Sequence, residues 1–328
     1  MKILLIRFSS IGDIVLTTPV IRCLKQQVKD AEVHYLTKPA YREILIGNPF
    51  LDAIHTLSGS AISTALNLRK EHYHWIIDLH NNPRSWLVKS IINVQNRSFH
   101  KQNIDKWLLV HLHFRRSPIR HVVHRYLDTV RFLHVVDDGK GLDYFIPPEE
   151  EVVVSALSPL LGSGYIAWVI AAAHNTKKFP AEKIIRACKM MHKPVVLIGG
   201  KTEFEEGEMI RRAIGERVIN ACGKFSINQS ASLIRQATAV VSNDTGMMHI
   251  AAAFSKPLVS LWGNTVPAFG MYPYYGSHSG PHALLETEGL PCRPCSKLGF
   301  NRCPRKHFFC MQQIDEQQIV ALLNCFDR

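Results

Sequence analysis

The sequence predicts an α/β protein built from two doubly wound, parallel-sheet halves. Three observations lead there. Short β-branched apolar runs recur along the chain, amphipathic stretches alternate with them, and a Pro-Pro-acidic stretch divides the series in two. Consecutive parallel strands can be joined only by a crossover, normally a helix, so this alternation is the pattern of parallel sheets covered by helices.

In the first half, KILLIRF (2–8), EVHYLT (32–37) and HWIIDLH (74–80) read as buried strands. Amphipathic stretches at Val15–Val28 and Ser60–Arg69 lie between them. The rhythm resumes with YIAWVIAAA (165–173), PVVLIGG (194–200), ATAVVSND (237–244) and PLVSLWG (257–263). IPPEEE (146–151) separates the two series and reads as a linker, giving domains of 1–147 and 152–328. A final periodic helix, Asp315–Phe326, is placed to pack back on the first domain. In open α/β sheets ligands bind beyond the carboxyl ends of the strands, so a cleft between two such halves is the expected site.

Composition narrows the classes. With 46% hydrophobic and 20% charged residues the chain can bury a core and is not disordered. Its longest apolar run, Ile166–Ala173, is far short of the ~20 residues that span a bilayer. The apolar ILLI near the start is cut by Arg7 and too short for a secretory core, so the reading is cytoplasmic. A net charge of +12 attracts polyanions without choosing among nucleic acid, an anionic membrane face and a phosphorylated substrate. Cys23, Cys188, Cys222 and Cys325 stand among apolar neighbours and read as small core residues.

Candidate chemistry begins after the first strand, in RFSSIGDIVLTTP (7–19). Ser9, Ser10 and Gly12 allow close approach, and Asp13 stands at a helix start beyond a strand's carboxyl end. A carboxylate there can take a proton from a hydroxyl, or it can simply cap the helix. The spacing is neither that of a dinucleotide fingerprint nor that of a P-loop.

Between His100 and Arg125 stand Lys101, Lys106, Arg115, Arg116, Arg120 and Arg125, interleaved with His100, His111, His113, His121 and His124. Such a segment suits phosphate binding or is a solvated basic face. Trp107 and Phe114 within it read as core.

In WVIAAAHNTKKFP (168–180), Lys177 or Lys178 could neutralise a diphosphate, or form a surface pair, and Pro180 suits helix position N1. In VVSNDTGMMHIAAA (240–253), Thr245 and Gly246 open a helix whose free amides suit phosphate oxygens. His249 follows Thr245 by one turn, so both can face one ligand, and Asp244 can bond a ribose or fix the loop. Cys292, Cys295, Cys303 and Cys310 form a C-x-x-C and a C-x6-C pair with His307 between them. A zinc site and a reduced packing motif both suit this spacing, and the second is preferred.

Together SSIGDIVLTTP, HNTKKFP, SNDTGMMHIAAA and the PCRPC…CPRKHFFCM tail resemble glycosyltransferase family nine, the ADP-heptose:lipopolysaccharide heptosyltransferases, over nearly the whole chain. The resemblance implies a GT-B architecture: an N-terminal domain for the acceptor, a C-terminal domain for the nucleotide sugar, and inversion at the anomeric carbon with no metal and no cofactor. It implies that Asp13 is the general base and that Lys177, in KKFP, serves the donor phosphates. Ser10, Gly12, Thr176, Asp244, Thr245, Gly246 and His249 are implied on the donor. Lys101, Arg120, His124 and Arg125 are implied on a phosphorylated lipopolysaccharide core acceptor. Phe179 and Asn228 stand where the family usually has tryptophan and an acidic residue.

The implied partners are ADP-heptose or a related nucleotide sugar and that acceptor. A peripheral contact with the inner membrane face is left open. The alternatives are a related transferase with another nucleotide sugar or a non-lipid acceptor, and, more distantly, a non-catalytic module binding an anionic glycolipid or nucleic acid. No nucleic-acid motif is present.

Overall fold

The computed structural model describes residues 1–114, 118–278 and 280–326, so Arg115 and Arg116 of the basic segment lie outside the described residues. The chain divides into two compact units. The first comprises Met1–Lys101, Arg120–Pro147 and Tyr274–His278. The second comprises the described parts of 102–119, Pro148–Pro273 and the residues from Gly280 onward.

The first unit holds a five-stranded parallel sheet of β1 (Lys2–Ile6), β2 (Glu32–Thr37), β3 (Ala53–Thr56), β4 (Trp75–Asp78) and β5 (Gln95–Ser98). Its order is β3-β2-β1-β4-β5. Central β1 is apolar on both faces because helices cover both, and Ile3, Leu4, Leu5 and Ile6 are fully buried. The stretch expected as one helix from Val15 is two, Ile11–Val15 and Thr18–Gln27. Pro19, which has no amide proton and crowds the carbonyl four residues back, forces the restart. Arg22 on the second of these helices is buried and bonds Asp138, Asp143 and the Gly141 carbonyl, tying the 138–143 strand of chain to the unit.

The second unit holds six parallel strands: β6 (Ile166–Val169), β7 (Val195–Ile198), β8 (Val218–Asn220), β9 (Ala239–Asn243), β10 (Leu258–Trp262) and β11 (His282–Glu286). Their order is β11-β10-β9-β6-β7-β8. The acidic run beyond Pro148 is anchored to this unit, where Glu150 and Glu151 accept hydrogen bonds from Ser226 and Ser232, each at 2.7 Å. The last helix, Glu316–Phe326, buries Ile319, Val320 and Leu323 in this unit's core, beside the Ala181–Met190 helix. Lys183 and Arg186 of that helix both pair with Glu316.

Several expectations need correction. Cys23, Cys188 and Cys222 are buried, but Cys325 is exposed, because it lies on the outer face of the last helix. Trp107 and Phe114 are not core residues; each is more than half exposed. Pro180 is the N-cap of Ala181–Met190, one position earlier than N1. No helix of the described residues is long and apolar enough to cross a membrane.

Candidate active site

In the first sheet, the chain leaves β1 toward β2 and β3 on one side and later adds β4 and β5 on the other. The loops beyond the carboxyl ends of β1 and β4 therefore diverge, which is where open α/β sheets leave room for a ligand. Asp13 belongs to the first of these loops. The cap of the Ile11–Val15 helix is Ser10, not Asp13. Asp13 sits at N3, where its Oδ2 accepts from the Ser10 amide at 3.2 Å and the Ser10 hydroxyl at 2.9 Å. Its Oδ1 lies 2.8 Å from Arg7 Nη2.

Arg7 is nearly buried and also donates to the carbonyls of Ser9 and Leu79, both at 2.7 Å, so it bridges the β1 and β4 loops. Burial pushes the Asp13 carboxyl up, but the Arg7 charge and the Ser10 hydrogen bonds outweigh it and hold the group below the usual carboxylate range. Asp13 is thus an ionised carboxylate whose side chain keeps 20% of its surface open.

His80 stands beyond β4, its ring 5.0 Å from that of Phe8. Burial pushes its pKa down to about 4, helped by the charges of Arg7 and Lys101 and opposed by Asp78 and Asp13. The imidazole is therefore neutral near pH 7. Its Nδ1 is buried and has no hydrogen-bond partner among the described residues. The loop's shape is set by Asp78, fully buried. Its Oδ1 accepts from the His80 and Asn81 amides at 3.0 and 2.7 Å, and its Oδ2 accepts from Ser85 Oγ at 2.8 Å and Lys89 Nζ at 2.9 Å.

The basic segment does not form one exposed face, because Lys106 and Arg125 are buried. Arg125 Nη1 donates to the carbonyls of His100 and Lys101 at 3.2 and 3.1 Å, so it braces the backbone that carries Lys101. Arg120 is exposed and pairs with Asp128 at 2.6 Å. His124 Nδ1 is 3.8 Å from Asp137 Oδ2, and its ring meets Tyr274 edge-on.

The second sheet repeats the device. The chain leaves β6 toward β7 and β8, then adds β9 on the other side, and the loops beyond β6 and β9 carry Lys177 and Asp244. Lys177 Nζ is 2.6 Å from Asp244 Oδ2, which also accepts from Thr265 Oγ1 at 2.8 Å. Lys178, the other candidate, is committed to Glu203 at 2.7 Å. Thr176 is buried, its hydroxyl donating to Asn264 Oδ1 at 3.0 Å and accepting from the Phe300 amide at 2.8 Å.

Thr245 is the N-cap of the Gly246–Ala253 helix, in extended conformation and without a capping bond from its own side chain. His249, one turn in, is buried. Phe179 is buried against Trp168 in near-parallel stacking, and Asn228 is buried on the Ile227–Gln236 helix.

The cysteine segment buttresses this loop cluster. Arg293, between Cys292 and Cys295, donates to the carbonyls of Gly263, Thr287 and Thr265 and pairs with Glu286 at 2.6 Å. Gly263 must stay small, since a Cβ there would lie 2.6 Å from the Thr176 carbonyl oxygen. Cys292 Sγ is 3.8 Å from His307 Nε2. Among the described residues no three His, Cys, Asp or Glu side chains are grouped to hold a metal ion. A cavity of about 780 Å³ on the second unit, lined by residues such as Phe204, Glu208 and Arg211, includes none of the expected site residues.

Residues 62–293 match the model of glycosyltransferase family 9 (heptosyltransferase). The chain belongs to glycosyltransferase family 9. It is a glycosyltransferase of GT-B fold. It is 24% identical to lipopolysaccharide heptosyltransferase 1 of Campylobacter coli, over 98% of each chain. It is 27% identical to lipooligosaccharide heptosyltransferase 2 of Haemophilus influenzae, over 91% of this chain and 93% of that one. The solved structure of Escherichia coli ADP-heptose lps heptosyltransferase II superposes with a TM-score of 0.74 at 20% identity, covering 99% of this chain and 98% of that one.

Three residues of the candidate site escaped sequence reasoning. His80 closes a motif read only as a strand, and its place beside β1 depends on strand order. Thr265 and Arg293 act through partners more than twenty residues away. A signal for His80 was available in principle: a polar residue two positions after an apolar run ending in Asp78.

Proposed function

We propose that this chain transfers heptose from ADP-heptose to a sugar hydroxyl of a lipopolysaccharide core acceptor, with inversion at the anomeric carbon. The observation that carries the reading is the pair of charged devices at the two switch points, Arg7–Asp13 in one sheet and Lys177–Asp244 in the other. The names of the relatives, which include lipopolysaccharide and lipooligosaccharide heptosyltransferases, and of a structural neighbour that names ADP-heptose support the choice of substrates.

In this reading Asp13 accepts the proton of the attacking hydroxyl while the new bond forms to the anomeric carbon. The bond from that carbon to the diphosphate oxygen breaks, and its electron pair leaves with ADP. An ionised carboxylate with open surface suits the first part. Lys177 and the amides opening the Gly246–Ala253 helix meet the charge that grows on the diphosphate, where fixed donors contribute most. Ser10, Gly12, Thr176, Asp244, Thr245 and His249 shape the donor loops. His80, which feels the charges of both Asp13 and Lys101, serves the acceptor with Lys101, and Arg120, His124 and Arg125 stand in the neighbouring segment. No step uses a metal or a cofactor.

The test is a donor panel of ADP-heptose against UDP-, GDP- and other ADP-sugars, with a heptose-deficient core acceptor and product mass as the readout. A product heavier by one heptose, formed with ADP-heptose alone, supports the proposal. Turnover only with another donor overturns it.

A further inference from the structure

The Asn103–Leu112 helix turns large apolar side chains outward. Ile104 is 68% exposed, Trp107 53% and Leu112 61%, and Phe114 just beyond the helix is 56% exposed. Ile104, Trp107 and His111 recur at three- and four-residue spacing, so they share one face, and Trp107 stacks on His111 at 4.7 Å. The opposite side holds the buried Lys106. This is the reverse of a helix docked by its apolar stripe, since here the large apolar groups meet solvent and a charged stem is covered.

A second segment adjoins it. Lys297 Nζ lies 3.4 Å from Asn103 Oδ1 at the helix start, which brings the 296–306 stretch alongside. That stretch exposes Leu298 and Phe300 and carries Lys297, Arg302, Arg305 and Lys306 with no acid. A cluster of exposed large apolar side chains marks an interaction site. Here it is rimmed by cations and contains a tryptophan, a residue that favours the boundary between hydrocarbon and headgroups.

We propose that this patch is a docking surface for an anionic lipid bilayer, with Ile104, Trp107, Leu112 and Leu298 entering the headgroup boundary and Lys297 and Arg302 meeting the lipid phosphates. Charge decides the occupant. Two copies of the chain meeting through this patch would bring their own cations together, a like-charge contact that opposes association. An anionic bilayer offers both an apolar layer and the complementary charge. None of the side chains placed at the bilayer is among the residues assigned to transfer, although Phe300 of the same stretch bonds Thr176 of the donor loop through its backbone.

The test is sedimentation of the full chain with vesicles of phosphatidylethanolamine and phosphatidylglycerol, compared with vesicles of phosphatidylcholine. The expected result is preferential binding to the anionic vesicles that weakens as salt rises. The double variant Ile104→Asn/Trp107→Ser should lose at least ~10-fold in partitioning, because each side chain contributes apolar burial. Lys297→Glu/Arg302→Glu, at two exposed side chains, should lose about 10-fold as well. Both variants should transfer to a water-soluble core oligosaccharide at the unaltered rate. Equal binding to both vesicle types, no binding, or unchanged binding by the variants would overturn the proposal. So would self-association without lipid that the first double variant abolishes, since that would assign the patch to a second copy.

Discussion

Lys177 Nζ and Asp244 Oδ2 meet at 2.6 Å across the β6–β9 switch point, although 67 residues separate them in sequence. Thr265 holds the same carboxylate oxygen. The lysine is therefore stationed, not free, and the loop that stations it opens the helix proposed to receive the diphosphate. Removing Lys177 should affect both binding and chemistry. Lys177→Ala is expected to lower kcat by ~10²–10³, the usual loss for one donor to a developing negative charge, and to weaken ADP affinity in titration calorimetry. Retained kcat with weakened affinity alone would make Lys177 a binding residue only.

Arg7→Met should move the acid side of the rate profile. Asp13 is held below the ordinary carboxylate range by Arg7 after burial is overcome. The native enzyme should therefore keep kcat/KM down to pH values below that range, to the limit of its stability. Without the guanidinium, burial is opposed only by the Ser10 hydrogen bonds, and the acid limb shifts to higher pH. The stability sign follows from linkage. A depressed carboxyl contributes stability that is complete above its unfolded pKa and is lost as pH falls through the folded one. The native-minus-variant stability gap should accordingly be largest near neutral pH and shrink in acid, as thermal denaturation across pH will show.

His80 is neutral near pH 7, since burial pushes its pKa down to about 4. Its folded pKa lies below the unfolded value near 6.5, so folding favours the neutral form and stability falls as pH drops from about 6.5 toward 4. His80→Ala should flatten that part of the stability curve. It should also raise acceptor KM by about 5- to 10-fold, the worth of one hydrogen bond, while ADP affinity stays unaltered. Steady-state kinetics with varied acceptor checks this.

Arg293→Ala should destabilise the loop that holds Asp244. Its guanidinium serves three carbonyls and Glu286, and the side chain is nearly buried. Leaving those carbonyls without a donor costs roughly 1–3 kcal/mol for each group that stays buried and unsatisfied. A lower Tm accompanied by weaker ADP binding is expected. A lower Tm with native ADP affinity would confine the cysteine segment to stability.

The central strands were legible because burial on both faces writes an unbroken apolar run. KILLIRF, HWIIDLH and ATAVVSND all became strands within those spans. The missed strands, β3, β5, β8 and β11, are the four edges of the two sheets. At β5 the sequence is QNRS and every residue is exposed, so no hydrophobic pattern exists to read. The same physics explains the site. Asp13, Lys177 and Asp244 lie in loops directly after apolar strands, where position alone marks them. Which loops become neighbours depends on strand order, and that is decided by packing over long separations. Trp107, read as core, is exposed for a related reason: the face a helical residue occupies is set by tertiary contacts.

The account rests most heavily on Asp13. The direct measurement is single-turnover transfer by Asp13→Asn with saturating ADP-heptose and core acceptor, beside ADP affinity and Tm of the same preparation. Asparagine keeps the shape and can still accept the Ser10 hydrogen bonds. The account predicts a folded protein with native ADP affinity and a transfer rate reduced by at least ~10²-fold, the contribution of a general base. A folded variant that transfers at the native rate would contradict it.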